Sequence, residues 1–341
     1  MPLPFILVAA AIIAGTAGVG KGISGAVKMK EAKDTSESAQ RLHEKNMERL
    51  KMTHEETDRA MDEVGKLELE ILNSFEAFSD TIEKIKGRPQ FKEISIEDVE
   101  LPKYNHEKIK EVSIGAAVLL GGLQGAAVGT AGGVAAAGAT TTAVMALGTA
   151  STGTAIATLS GAAATNATLA ALGGGAIAAG GGGIALGTAV LGAATAGVGL
   201  LVGGLIFSAT GSKLSEQADE AWSQMKEAEK QIDESCKYLN DLRDTATKYN
   251  ISLTMVYDKY KKTFNIVSNA VNVNNKIYWK DFTQAEKTAT QNSVMLVALL
   301  YKMCQVKLVK TSEEKGKENT VNHEEINGAI VDSYKVMAKV S

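Results

Sequence analysis

The sequence is poor in the residues on which most catalytic and metal-binding sites depend. Its 341 residues include only four prolines, four histidines and two cysteines, and aromatic side chains make up 5%. The cysteines show no CxxC or other paired spacing, which argues against a disulfide scaffold or a zinc site. No HExxH, other ligand spacing or GxSxG elbow appears. We therefore expect no enzyme activity, metal or cofactor, with the carboxylates solvated. The histidines, which we also expect to be solvated, are His43, His54, His106 and His323.

Charge is absent from two segments, residues 1–20 and residues 112–212. The second, which we call the apolar block, has 101 residues without Asp, Glu, Lys or Arg and holds 25 of the 34 glycines. A charge-free segment this long predicts membrane insertion or an unusually large buried element. The rest of the chain is densely charged but balanced, with a net charge of −3. This balance gives no support to nucleic-acid binding.

The N-terminal segment, residues 1–25, predicts an apolar helix that either anchors in a membrane or lies in a protein core, with a cleaved signal peptide as the third and weakest alternative. Residues 15–21 match most of a phosphate-binding P-loop, but Gly22 stands where Ser or Thr would hold magnesium. An overlapping GxGxxG match at residues 20–25 belongs to an incompatible fold, so both matches indicate chance. Gly18 and Gly22 instead lie on a small-residue face suited to helix contact.

Glycines recur at every fourth residue in the two more hydrophobic ends of the apolar block. One helix face is thereby stripped of side chains, which lets a second helix backbone approach closely. Because glycine costs about 1 kcal/mol per helical position, this regular spacing indicates a packing role. The candidate packing and insertion residues are Gly121, Gly125, Gly129, Gly133, Gly183, Gly187, Gly199 and Gly203.

The middle of the apolar block, residues 138–182, is mostly Ala, Gly, Thr and Ser. Such residues contribute little to insertion, and Leu, Ile and Val favour it by only about 0.3 to 0.6 kcal/mol each. We therefore expect a hairpin of two helices joined through this weak middle, stable both in a folded protein and in a bilayer.

The charged flanks show the periodicity of long helices. Residues 26–111 predict a long helix, with a stripe at Met61, Val64, Leu67, Ile71, Phe75, Phe78, Ile82 and Ile85, followed by a short extended connector. Residues 213–272 predict a second helix, with a stripe at a mean step of 3.56 (57/16 residues). Residues 273–341 predict a helix from about Asp281 with Phe282 and Ala285 facing a core, a polar linker, and a short helix that either docks or moves.

These elements predict an all-α protein, a long antiparallel coiled-coil-like bundle carrying a Gly/Ala-rich apolar helical hairpin. A family of poorly characterised bacterial glycine-zipper proteins is similar to this chain at residues 151–166, 172–175 and 180–187, at the MPLPFIL start and at residues 101–103. That resemblance brings no established activity. Long helices flanking an apolar hairpin are also similar in layout to α-helical pore-forming toxins of the cytolysin A and haemolysin BL type.

The function we expect is that of a bacterial membrane-active, toxin- or effector-like protein. It would be soluble before insertion, insert the apolar block into a lipid bilayer and assemble as a homo-oligomer around a pore. An alternative is a resident membrane scaffold or sensor, whose coiled-coil arms bind other proteins and which forms no pore. A third is a soluble bundle with the block as its core.

Overall fold

The computed structural model describes residues 22–91, 99–126, 212–310 and 320–340. Five helices account for most of these residues: α1 (Gly22–Glu83), α2 (His106–Ala126), α3 (Ser212–Ser268), α4 (Gln284–Met303) and α5 (His323–Lys339). A π-helical turn (Asn269–Val273) extends α3, and a 3₁₀ turn (Trp279–Asp281) precedes α4. Strands β1 (Val309–Lys310) and β2 (Thr320–Val321) form a two-stranded antiparallel pair. The all-α prediction is confirmed.

The chain divides into two compact units, and α1 and α3 contribute to both. The first unit comprises residues 1–53 and 198–237. Within its described part, Arg49 forms an ion pair with Asp233. Met225, Ala228 and Ile232 are buried here, as their helical spacing predicts.

The second unit, residues 54–197 and 238–341, holds a bundle to which all five helices contribute. Helices α1 and α3 run in the same direction. Thr57 of α1 bonds the carbonyl of Leu239 near the start of this part of α3, and Thr81 bonds Asn272 beyond its end. The predicted antiparallel pairing of these two helices is therefore wrong.

Helix α2 explains the parallel arrangement. Lys110 near its start pairs with Asp80 of α1, whereas Ser113 bonds the earlier residues Asn73 and Glu76. Because α2 runs back along α1, it carries the chain away from the end at which α1 stops. Helix α3 can then run parallel to α1, which a hairpin joining their adjacent ends would not have allowed.

Helices α4 and α5 complete the bundle. Lys276 pairs with Glu286 near the start of α4, and Tyr249 donates a hydrogen bond to the carbonyl of Met303 at its end, so α4 is antiparallel to α3. Helix α5 is antiparallel to α4, and its Ser333 bonds Ser252 of α3. The C-terminal helix α5 therefore docks on the bundle, since four of its side chains are buried: Ile326, Ala329, Ser333 and Val336.

The core follows the two predicted stripes. All eight positions of the first predicted stripe, which ends two residues beyond α1, are buried except Leu67, which is partly buried. Edge-to-face contacts join Phe78 to Tyr260 and Phe264 of α3, with ring centroids 6.1 and 5.7 Å apart. Such pairs stabilise a core beyond their buried area.

Helix α4 begins at a capping box, in which Thr283 and Glu286 each bond the other's backbone N–H. Phe282 is buried as predicted, but Ala285 is exposed, contrary to the prediction. Phe282 lies in extended backbone before the helix, so the step of three from Phe282 to Ala285 is not a helical step. Residues 92–98 of the predicted connector and residues 311–319 of the polar linker lie outside the described residues.

Candidate functional site at the start of the apolar block

The apolar block begins inside the folded bundle, on helix α2. Its first residues are packed, since Val112, Ser113 and Ala116 are fully buried. One turn earlier, Ile109 is also buried. On the opposite side of α2, Ile114 is 42% exposed. We call the contact of residues 109–116 with α1 the α2 seat.

Ser113 is the central polar contact of the α2 seat. Its hydroxyl donates to the carbonyl of Asn73 at 2.8 Å and accepts from the backbone N–H of Glu76 at 3.1 Å. These distances place the side chain directly against the backbone of α1. Because the hydroxyl is fully buried, both bonds form out of contact with water, where an unmade bond would be costly.

Polar side chains hold the start of α2, from the residues just before the α2 seat to Lys110 within it. The Asn105 side chain accepts a hydrogen bond from the N–H of Lys108 at 3.0 Å, as an N-cap does. Lys110 and Asp80 pair at 3.1 Å, although both are well exposed and such pairs contribute at most about 1 kcal/mol. Ser79 bonds the His106 ring. The start of α2 is therefore fixed by specific contacts.

Tyr104 extends this polar group toward the end of α1. Its hydroxyl lies 3.4 Å from both Ser79 and Glu83. Burial is the main cause that raises the pKa of the Tyr104 hydroxyl, and the nearby Glu83 carboxylate adds to it. The hydroxyl therefore stays protonated and available as a donor at neutral pH.

Three titratable residues of α1 that were expected to be solvated are buried: His54, Asp58 and Glu68. His54 and Asp58 lie on one helix face, with Nε2 and Oδ2 3.9 Å apart. Glu68 is fully buried and close enough to raise the pKa of the Tyr249 hydroxyl and the Cys304 thiol, whose own burial is the larger cause. The expectation that all carboxylates and histidines are solvated is wrong at these positions.

The spacing of the α1 stripe, taken without regard to residue type, predicts the burial of two of them, His54 and Glu68. Steps of alternating three and four residues connect ten buried positions: 54, 57, 61, 64, 68, 71, 75, 78, 82 and 85. This series passes through Glu68 instead of the more hydrophobic Leu67, and it includes His54. Regular spacing therefore predicted burial better than residue type.

The candidate glycines are only partly within the described residues. Gly121 and Gly125 lie one turn apart on α2, and Gly22 is the first residue of α1. The remaining candidates lie outside the described residues: Gly18, Gly129, Gly133, Gly183, Gly187, Gly199 and Gly203. The N-terminal anchor predicted at residues 1–25 lies almost entirely outside them as well.

The described part of the chain contains neither a helix that could span a membrane nor a cluster of metal-ligating side chains. None of its helices combines the length and the apolar character needed to cross a membrane. No three of its His, Cys, Asp and Glu side chains converge as a metal ion would require. Comparison of the chain with protein-family models, curated proteins and solved structures finds no match.

Proposed function

We propose that this protein is a membrane-active helical protein that inserts its apolar block into a lipid bilayer and oligomerises there. The observation that carries the proposal is the placement of residues 109–116, where a 101-residue charge-free segment starts as a packed helix of a bundle with a charged exterior. In this proposal the folded bundle packs the start of the apolar block, and the lipid bilayer is the second environment that the block can enter.

The α2 seat is suited to a change of environment. Its apolar contacts come from few side chains, and full burial of Ile109 and Val112 contributes about 1.5 to 3 kcal/mol each. Insertion of the Leu, Ile and Val residues farther along the block offers about 0.3 to 0.6 kcal/mol apiece. Because the block holds more than twenty such residues beyond the α2 seat, their summed contribution is of the same order as the packing of Ile109 and Val112, and a modest trigger is sufficient to shift the block from the bundle to the bilayer.

Close helix packing by glycine supports oligomerisation in the bilayer. Gly121 and Gly125 have the spacing of one helical turn on α2, and the sequence continues it at Gly129 and Gly133. Backbones that approach along such a face gain van der Waals contact that lipid tails do not supply. A ring of such helices around a pore is the arrangement we propose, with a second copy of the chain as partner and no enzymatic step.

Dye leakage from liposomes tests this proposal. Purified protein is expected to release dye, and Gly125→Leu with Gly129→Leu is expected to reduce the release at least about tenfold by separating the packed backbones. The matched control is Ala127→Leu with Ala131→Leu, which adds the same side chains at the same spacing on a different helix face and should preserve leakage.

If the liposomes stay intact at every protein concentration, the proposal that the protein forms a pore is wrong. If the protein then sedimented with the liposomes as tightly as an integral protein, the scaffold alternative would replace it. Equal leakage from both double variants would overturn the role of the glycine face.

A further inference from the structure

Cationic and apolar side chains share one end of the second unit, formed by the end of α1 and by the segment between α3 and α4. We call residues 83–88 and 272–287 the apex. Backbone hydrogen bonds join the two segments, since the N–H of Lys86 donates to the carbonyl of Ile277 at 2.7 Å and that of Trp279 to the carbonyl of Lys86 at 2.9 Å. Lys84 also bonds the Asn272 side chain at 2.8 Å.

Large apolar side chains of the apex face solvent. Val273 is 68% exposed, Tyr278 46% and Ile277 37%. These three lie within six residues of sequence, in a segment fixed by backbone hydrogen bonds to Lys86, just after the end of α1. A cluster of exposed apolar groups on a well-packed unit indicates a surface that contacts another apolar phase.

The apex is locally cationic in a chain that is acidic overall. It carries six basic residues, Lys84, Lys86, Arg88, Lys276, Lys280 and Lys287, against three acidic ones, Glu83, Asp281 and Glu286. The local balance is thus 6 − 3 = +3, whereas the whole chain is −3. Two of the cations, Arg88 and Lys276, are paired with acidic groups of the apex.

Lysines surround the exposed aromatic ring. The ammonium groups of Lys86 and Lys280 lie 5.8 and 5.7 Å from the centre of the Tyr278 ring. Lys287 lies 5.9 Å from the Trp279 ring, which stacks on Phe282 of the core. Aromatic rings with neighbouring long cationic side chains are typical of the headgroup region of a bilayer, where the ring sits at the interface and the ammonium reaches phosphate.

We propose that the apex is a docking surface for anionic lipid bilayers. Val273, Ile277 and Tyr278 would enter the headgroup region while the lysines around them bind lipid phosphate and carboxylate groups. Each lysine near an anionic surface is attracted to it, and shallow insertion of apolar groups adds to the binding. A short apex with aliphatic side chains at its centre fits a bilayer better than a nucleic acid, which needs an extended basic groove with bases stacked along it.

This surface is distinct from the apolar block. Helix α2 starts beside the end of α1, with Lys110 paired to Asp80, and runs away from the apex along α1. The apex therefore provides a first, reversible membrane contact that does not require insertion. The inference goes beyond the proposed function, since it holds even if the block never forms a pore.

Vesicle co-sedimentation tests the inference. The full-length protein is mixed at low salt with vesicles of phosphatidylcholine alone or of equimolar phosphatidylcholine and phosphatidylserine. We expect stronger binding to the anionic vesicles. The triple variant Lys84→Gln, Lys86→Gln and Lys280→Gln should lose at least about tenfold of this binding.

The matched control removes three exposed lysines of the bundle outside the apex, as Lys66→Gln, Lys248→Gln and Lys335→Gln. It changes the net charge equally and should keep most of the binding. A second variant, Val273→Ser with Ile277→Ser, leaves the charge unchanged and should weaken binding several-fold. Helical circular dichroism of each variant shows whether the bundle is folded.

Three results would overturn the inference: equal binding to both kinds of vesicle, equal losses in the apex and control triple variants, or binding of DNA in preference to anionic vesicles. Binding that follows this prediction without any dye leakage would support the apex while rejecting the pore. If the apex variants release dye as the unmodified protein does when equal amounts of protein are bound, the pore would be supported independently of the apex.

Discussion

Ser113 is the residue on which the attachment of the apolar block depends most directly. Its buried hydroxyl makes two hydrogen bonds to the backbone of α1. In the sequence, Ser113 is one of many small residues, and no charged or aromatic side chain distinguishes its position. Only the packing of α2 against α1 shows that its hydroxyl is buried and bonded twice.

Replacing Ser113 by alanine should lower the free energy of unfolding by about 1 to 3 kcal/mol, because it removes both buried bonds. Urea denaturation measures the change. Thr254→Ala is the control, since Thr254 is exposed and bonds a carbonyl of its own helix, so a change within about 0.5 kcal/mol is expected. Equal effects of the two substitutions would show that the α2 seat does not depend on Ser113.

Asp62 predicts a pH dependence of stability. Desolvation, followed by the nearby Asp58 carboxylate, raises the pKa of the Asp62 carboxyl from 3.8 to about 6. Since the pKa is higher in the folded state, the folded protein binds the proton more tightly. Stability from this group is therefore gained as pH falls from about 6 to about 4 and is lost as pH rises through about 6.

Asp62→Asn should thus raise the free energy of unfolding above about pH 7 and give no gain near pH 4. Protein surrounds much of the Asp62 carboxyl, but the residue still reaches solvent, so solvent screening limits the gain to below about 1 kcal/mol. Urea denaturation at both pH values is compared with Glu63→Gln, a neighbouring exposed carboxylate. A gain that is equal at both pH values would contradict the assignment to Asp62 ionisation.

Helices were the elements most accessible to sequence reasoning. The stripes predicted in residues 26–86 and 213–271 coincide with α1 and α3 because apolar spacing alone defines a helix face. Their relative direction could not be predicted in this way, since a helical stripe has the same spacing when read in either direction. The direction depends on the path of the chain through α2.

Pulsed electron paramagnetic resonance tests the parallel direction. Spin labels at positions 56 and 243, where Glu56 and Arg243 form an ion pair, should give a short distance. Labels at 56 and 272 should be roughly 40 Å apart, because 29 residues of helix rise about 43 Å. Both native cysteines are buried and should not take up label. A short distance for the pair 56 and 272 would instead support antiparallel helices.

At the scale of the whole molecule, the charge pattern divides the chain into charged segments that form the bundle and a charge-free block that we propose enters a bilayer. Charged segments form the described helices, and the charge-free block starts on one of them and continues for 101 residues. The sequence was sufficient to identify that block and to predict helices on both sides of it. It could not show that its first turns are packed against α1, because that contact depends on the tertiary arrangement.

Two membrane contacts of different character follow from the proposals. In these proposals, the apex would contact headgroups through lysines and a few exposed apolar groups, and the block would enter the hydrocarbon region. Salt should weaken the first contact strongly, since it rests on exposed charges, and the second only slightly. Weakening the α2 seat by Ser113→Ala should accelerate dye leakage.

Depth-dependent quenching tests insertion most directly. Single cysteines replace Leu123 and Leu200, in the two hydrophobic ends of the block, and Thr254 in α3 as control, and each carries an environment-sensitive dye. With vesicles whose acyl chains carry nitroxide quenchers, we predict strong quenching at positions 123 and 200 and little at 254. Dyes at 123 and 200 that escape the lipid quenchers and stay accessible to aqueous iodide would contradict insertion of the apolar block.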